Sequence, residues 1–123
     1  MSTVDGEMAF VPQKLTGGGR RAEAYSQNWQ EANLNDVIRK FVGNNPKIYF
    51  TPKGKAIYEG KNGIQIVQDI EGGYFRILDT NKRGAHIYLD LNGNVPSNKI
   101  NERGKQQGRT KAEYNESTHF KVK

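Results

Sequence analysis

Apolar residues follow two rhythms along this chain, and the change from one to the other sets the expected architecture. Leu34, Val37, Ile38 and Phe41 recur at i, i+3, i+4 and i+7, the spacing of one helical face. Asn33 stands where a cap is needed, Asp36 sits at the third helical position, and Gly43 followed by Asn44-Asn45-Pro46 ends the run. A shorter helix is expected over residues 22–30. Beyond Pro46 the period drops to two. Lys47–Phe50 reads as a short strand ending at Pro52, and 55–59 with 64–70 as a hairpin across Gly60-Lys61-Asn62-Gly63. Glu71-Gly72-Gly73 turns the chain into a strand over 74–78, and residues 81–84 turn it into another over 86–91, closed by Asn92-Gly93. Residues 94–117 are polar, with a helical turn expected around 110–114, and 118–122 reads as a last strand. Residues 1–21 are polar, hold Gly17-Gly18-Gly19 and show no sustained period, so they read as a linker ahead of a domain over 22–123.

The expected fold is therefore α+β, with an amino-terminal helix or helices packed on one face of a twisted antiparallel sheet of four or five strands. Alternation gives each strand an inner and an outer side. Phe75 with Ile77, Ile87 with Leu89 and Leu91, and Phe120 with Val122 are natural partners for the helix stripe. The outer side then carries Gln65, Val67 and Asp69, Tyr74 and Arg76, His86, Tyr88 and Asp90, and His119 and Lys121. Such a mixed face is either the solvated side of a one-sided sheet or a surface where aromatics stack bases and cations hold phosphate. Thr118 shares its alternation with Phe120, which sets it inside unless the strand starts after it. Trp29 is expected to anchor the amino-terminal segment to the core.

Composition narrows the classes. At 123 residues there is room for one domain. Without cysteine there is neither a disulfide scaffold nor a thiolate zinc site. No apolar run approaches the ~20 residues that span a bilayer, and residues 1–13 lack the charge and apolar pattern of a signal peptide. The net charge is +6, and residues 94–123 hold seven basic side chains against three acidic ones. Basicity gathered at one end points to a polyanionic partner, because phosphate neutralisation releases counterions. A solubilising surface is the plain alternative.

The sequence holds no phosphate-binding loop, dinucleotide fingerprint, zinc-protease helix, nucleophile elbow or calcium loop. Asp69, Asp79 and Asp90 are spread over separate strands and turns, so no cofactor or metal is expected. What remains is imidazole, guanidinium, ammonium and hydroxyl. That inventory suits RNA cleavage by transesterification, in which a base takes the 2′-OH proton, a cation stabilises the phosphorane and an acid protonates the leaving oxygen. His119 is the first candidate, bracketed by Thr118 and Lys121, with a surface histidine near a frayed end as the alternative. His86 follows Lys82 and Arg83, and is either a second imidazole or an exposed edge residue. Arg109 reads as a phosphate clamp or an ordinary loop charge. Tyr74 and Tyr88 read as packing or base-stacking rings.

Residues 64–70, 74–77 and 88–96, together with the ending Gly108-Arg109-Thr110 through Glu113-Tyr114-Asn115 to Thr118-His119-Phe120, resemble the C-terminal toxin domains of bacterial polymorphic toxins, notably contact-dependent growth inhibition effectors. The similarity covers about residues 28–120. It implies a metal-independent ribonuclease of the barnase/EndoU/colicin/RelE-like fold, acting on tRNA from the exposed sheet face. It also implies delivery as the carboxy-terminal part of a large cell-surface effector, action in the cytoplasm of the target bacterium, and neutralisation by a cognate immunity protein. Matching motif positions are His119, Arg109, Thr118, Asp90 and Arg76; His86 lies outside them. The expected catalytic set is His119, Arg109, Thr118, Asp90 and His86. Lys121, Arg76, Tyr88, Lys111 and Arg83 are the expected nucleic-acid ligands. A basic cleft suits an acidic inhibitor, so the chain is expected as a monomer or a 1:1 heterodimer with its immunity protein. A non-catalytic nucleic-acid-binding module, or a toxin with a DNA or protein target, are the alternatives.

Overall fold

Where the chain can bury apolar side chains decides the order of its elements. The computed structural model describes residues 17–81, 86–96, 98–100, 106–108 and 110–123. Three helices are present among them: α1 (Gly17–Tyr25), α2 (Leu34–Phe41) and α3 (Lys111–Thr118). A 3-10 turn (Ser26–Asn28) follows α1, and the strands are β1 (Gln30–Ala32), β2 (Lys47–Phe50), β3 (Lys55–Glu59), β4 (Ile64–Asp69), β5 (Tyr74–Asp79), β6 (Tyr88–Leu89), β7 (Asn98–Ile100), β8 (Gln106–Gly108) and β9 (Phe120–Val122). Seven strands form one open sheet in the order β1-β9-β5-β4-β3-β2, with β6 also on β5; β7 and β8 pair with each other. All pairings are antiparallel except that of β9 with β1. The fold is α+β.

The helix stripe finds the partners that alternation assigns to it. Val37 and Ile38 are buried with Ala32, Ile66, Phe75, Ile77, Leu89 and Phe120, and Leu34, Phe41 and Leu91 pack against this cluster. Each large side chain fully buried there contributes ~1.5–3 kcal/mol. Asn33 caps α2 by accepting the Asp36 N–H at 3.0 Å. The Ile38 carbonyl then accepts from both Val42 and Gly43, at 2.8 and 2.9 Å, and Gly43 ends the helix at φ 114°.

Several expectations need correction. The sheet has seven strands instead of four or five; among them β1 has no counterpart in the expected elements, the helix expected over 22–30 overlapping it only at Gln30. β6 covers only Tyr88–Leu89 of the expected 86–91; past Leu89 the same edge of β5 is already taken, over Tyr74 and Phe75, by β9. Ile87 is half-buried outside the inner cluster, its carbonyl accepting from Asp79 N at 2.9 Å. Val122, at the sheet rim opposite Ala32, is 36% exposed. The turn expected around 110–114 is two turns of helix, started by a capping box in which Thr110 and Glu113 each accept the other's backbone N–H. The last strand begins at Phe120, so Thr118 belongs to α3.

The largest departure is at Gly17-Gly18-Gly19, which opens α1 inside the expected linker. Glycine disfavours a helix by ~1 kcal/mol per residue, and close packing overrides that cost here. Gly18 and Ala22 bring the helix onto the outer sheet face, where Ala22 is buried with Trp29 and Tyr74. A Cβ on Gly18 would stand 1.6 Å from Asp69 Oδ2. That carboxylate cannot step aside freely, since it binds Lys55 Nζ at 2.8 Å and the Gly72 N–H at 2.7 Å. Gly18→Ala is therefore expected to lower the denaturation midpoint, by ~1–3 kcal/mol of overpacking. Helix propensity alone has the opposite sign, so a raised midpoint contradicts this packing.

Candidate functional site

β5 is flanked along its whole length by β4, while its other edge is shared between two strands. β9 pairs with Tyr74 and Phe75, and β6 with Ile77 and Leu78. Arg76 sits at the split. Continuing the β9 register one step beyond Phe120↔Phe75 sets His119 opposite Arg76. On the outer face the Arg76 guanidinium lies over the Tyr88 ring, its carbon 3.4 Å from the centroid. Its Nη2 donates to Thr118 Oγ1 at 2.9 Å. Thr118 in turn donates to the Tyr114 carbonyl at 2.9 Å. The Tyr114 hydroxyl accepts from Tyr88 N at 2.8 Å and donates to Tyr88 O at 3.3 Å. These contacts close a ring through β5, α3 and β6 with the guanidinium inside it. Burial lowers the Arg76 pKa below the ordinary value, partly offset by Tyr88 and Tyr114; the group stays charged at neutral pH.

His119 is 2% exposed, which removes the surface-histidine alternative. Its Nδ1 is 2.6 Å from the Asn115 carbonyl. A carbonyl only accepts, so Nδ1 carries the proton and the neutral ring holds its lone pair on Nε2. The imidazole stacks on Trp29 with centroids 4.6 Å apart and planes 15° from parallel, and Tyr74 leans against it at 5.2 Å. Nε2 is buried and has no hydrogen-bond partner among the described residues, as is Arg76 Nε. Burial first, then Arg76, with Arg21 and Lys55 adding to it and the Asn115 hydrogen bond opposing, lowers the His119 pKa to about 4. The ring is neutral at pH 7.

Two clefts flank this group. One, of about 330 Å³, lies on the outer sheet face between Arg21, Lys55, Gln65, Arg76, His86 and Tyr88. Arg21 is steadied there by donating to the Tyr74 hydroxyl at 3.1 Å, and Lys55 by Asp69. The other, of about 480 Å³, lies between α1, the 3-10 turn and α3, with His119 in its wall. Arg21 lines both.

The structure thus brings together His119, Thr118, Arg76 and Tyr88, with His86 exposed beside them, its Nδ1 3.5 Å from the Tyr88 hydroxyl. Lys111, the first residue of α3, is exposed on the second cleft. Lys121 is half-buried on β9, opposite Tyr74 and Glu31. Asp90 does not join the group: its Oδ1 accepts from Asn92 N at 2.9 Å and Asn94 N at 3.0 Å, so the carboxylate closes a turn and lines neither cleft. Arg109 and Arg83 lie outside the described residues. Arg21, Lys55 and Trp29 belong to the site without having been singled out for it. The hairpin register, which sets Lys55 opposite Asp69, was a usable signal for the second of these; Arg21 had none while α1 was read as linker. No group of three metal-ligating side chains gathers among the described residues, and no helix among them is long and apolar enough to cross a membrane.

The lowered His119 pKa has a consequence for stability. Below pH 6.5 the unfolded imidazole takes up a proton that the folded one accepts only near 4. The stability it contributes is complete above pH 6.5 and is lost as pH falls towards 4. His119→Phe keeps a ring in the stack without the titration. Between pH 7 and 4 the wild type should lose roughly 3 kcal/mol relative to that variant, at ~1.4 kcal/mol per pH unit, in urea unfolding. Parallel stability curves contradict the shift.

Comparison of the chain with protein-family models, curated proteins and solved structures finds no match in any of the three.

Proposed function

We propose that the chain is an endoribonuclease toxin domain that cuts tRNA by transesterification without metal in the chemical step. One observation carries the reading: an imidazole held neutral, its lone pair confined to Nε2 by the Asn115 carbonyl, stands beside a guanidinium fixed on the outer sheet face. A base must be unprotonated to accept a proton, and a phosphorane needs a cation that does not have to be ordered first. His119 Nε2 takes the ribose 2′-OH proton as O2′ attacks phosphorus. Arg76, with Lys55 and Arg21, stabilises the added charge. The P–O5′ bond breaks and the leaving oxygen takes a proton from His86, giving a 2′,3′-cyclic phosphate and a 5′-hydroxyl. A bound phosphate offsets the cations that depress His119 and so raises its proton affinity at the moment of transfer. Thr118 acts as a positioning residue through Arg76, while Lys121 and Lys111 hold flanking phosphates.

In this reading the domain is delivered at the carboxy terminus of a large cell-surface effector and acts in the target cytoplasm. An acidic immunity protein binds it 1:1. A second reading, a nucleic-acid-binding module without catalysis, is favoured by the burial of His119 Nε2: proton transfer requires that nitrogen to be uncovered.

Incubation with total bacterial RNA in EDTA separates the two. Discrete tRNA fragments ending in 2′,3′-cyclic phosphate are expected. Loss of general-base catalysis in His119→Gln should slow cleavage by ~10²–10⁴-fold while RNA binding persists. Arg76→Met should lose cleavage and weaken binding together. RNA that is bound but intact, even with magnesium and cell extract restored, selects the binding module.

A further inference from the structure

The cleft between α1, the 3-10 turn and α3 shares His119, Arg21 and Lys111 with the chemistry above, and the rest of its lining is equipped for a ligand. Its volume of about 480 Å³ falls within the ~300–1,000 Å³ of small-molecule sites. Tyr25, on its rim, is 59% exposed: a flat aromatic face left in water at the last residue of α1. Asn28 faces it from the 3-10 turn, and Asn115 and Glu116 from α3, offering amides and a carboxylate to a hydrogen-bonding edge. Arg21 lines this cleft and the sheet-face cleft alike, so one guanidinium bridges the two spaces. His119, with its buried and unpartnered Nε2, is part of the wall. A phosphate alone has no use for an aromatic face or for Glu116. A planar heterocycle with N–H and carbonyl groups on its edge uses all of them.

We propose that this cleft binds a single nucleobase of the RNA, unstacked from its neighbours, against Tyr25, with Arg21 holding the phosphate that leads into the sheet-face cleft. The inference rests on the RNA reading and adds the place where base identity is read. Single-stranded bases unstacked from their neighbours are recognised by such ring-plus-amide arrangements. Glu116 accepts only, so it prefers a base edge that donates two N–H groups.

Trp29 is the only tryptophan of the chain and lines the cleft, so its emission reports occupancy. The full chain is titrated in EDTA with AMP, GMP, CMP, UMP and, separately, inorganic phosphate. A saturable change with a clear preference among the four nucleotides, absent with phosphate, is expected. Tyr25→Ala, an exposed position that the fold does not need, should weaken that binding by one to two orders of magnitude, as loss of one base stack does. Glu116→Gln should change the order of preference. An equal response to phosphate, or unchanged affinity in Tyr25→Ala, overturns the nucleobase site. Cleavage of tRNA by a wild-type chain that binds no nucleotide overturns this site and leaves the ribonuclease reading standing. Base-selective binding lost in Tyr25→Ala, with no cleavage of RNA, supports the site and overturns the ribonuclease.

Discussion

The central constraint in this fold is the divided edge of β5. A strand has one neighbour on each side, and β5 gives the second side to β9 for its first half and to β6 for its second. Neither short strand continues past the other. The outward side chain at the split, Arg76, is therefore flanked by chain ends on that edge, and it fills the gap. It reaches Thr118, where α3 runs into β9, and Tyr88 on β6. The inner side chains on either side, Phe75 and Ile77, are fully buried in the core. One strand thus anchors the hydrophobic layer with one face and presents the charged group with the other. Moving Arg76 requires repacking both.

The charge of Arg76 then sets the state of its neighbour. A buried guanidinium beside an imidazole favours only one positive charge between them, and the guanidinium keeps it because its proton affinity is far higher. Trp29 and Tyr74 exclude the water that would soften that repulsion. The hydrogen bond to Asn115 O decides which nitrogen carries the lone pair. Electrostatics and packing here work in one direction. They yield a neutral histidine in a basic protein.

Much of this was legible in the residues. The α2 stripe, its Asn33 cap, the three-strand run from Lys55 to Asp79 and the inner places of Phe75, Ile77, Leu89 and Phe120 all follow from period and turn chemistry. His119, Arg76, Thr118 and Tyr88 were named as candidates from the sequence, and the structure brings them together. Asp90 was not legible: in sequence an acidic residue at a strand end looks the same whether it serves a substrate or accepts two turn N–H groups. Gly17-Gly18-Gly19 misled for a physical reason. Glycine marks a flexible linker and a close helix–sheet approach alike, and only the presence of Asp69 beneath Gly18 distinguishes them. Burial of His119 was hidden too, because it depends on Trp29, ninety residues earlier and brought alongside by the parallel pairing of β1 with β9.

The most direct measurement is an NMR titration of the two imidazoles, His86 and His119, which are the only histidines of the chain. His119 should titrate near pH 4 with its neutral proton on Nδ1, and in Arg76→Met its midpoint should move up towards the ordinary histidine value. A His119 midpoint near 6.5 that is indifferent to Arg76 would contradict the coupling of these two side chains, and with it the neutral imidazole on which the account rests.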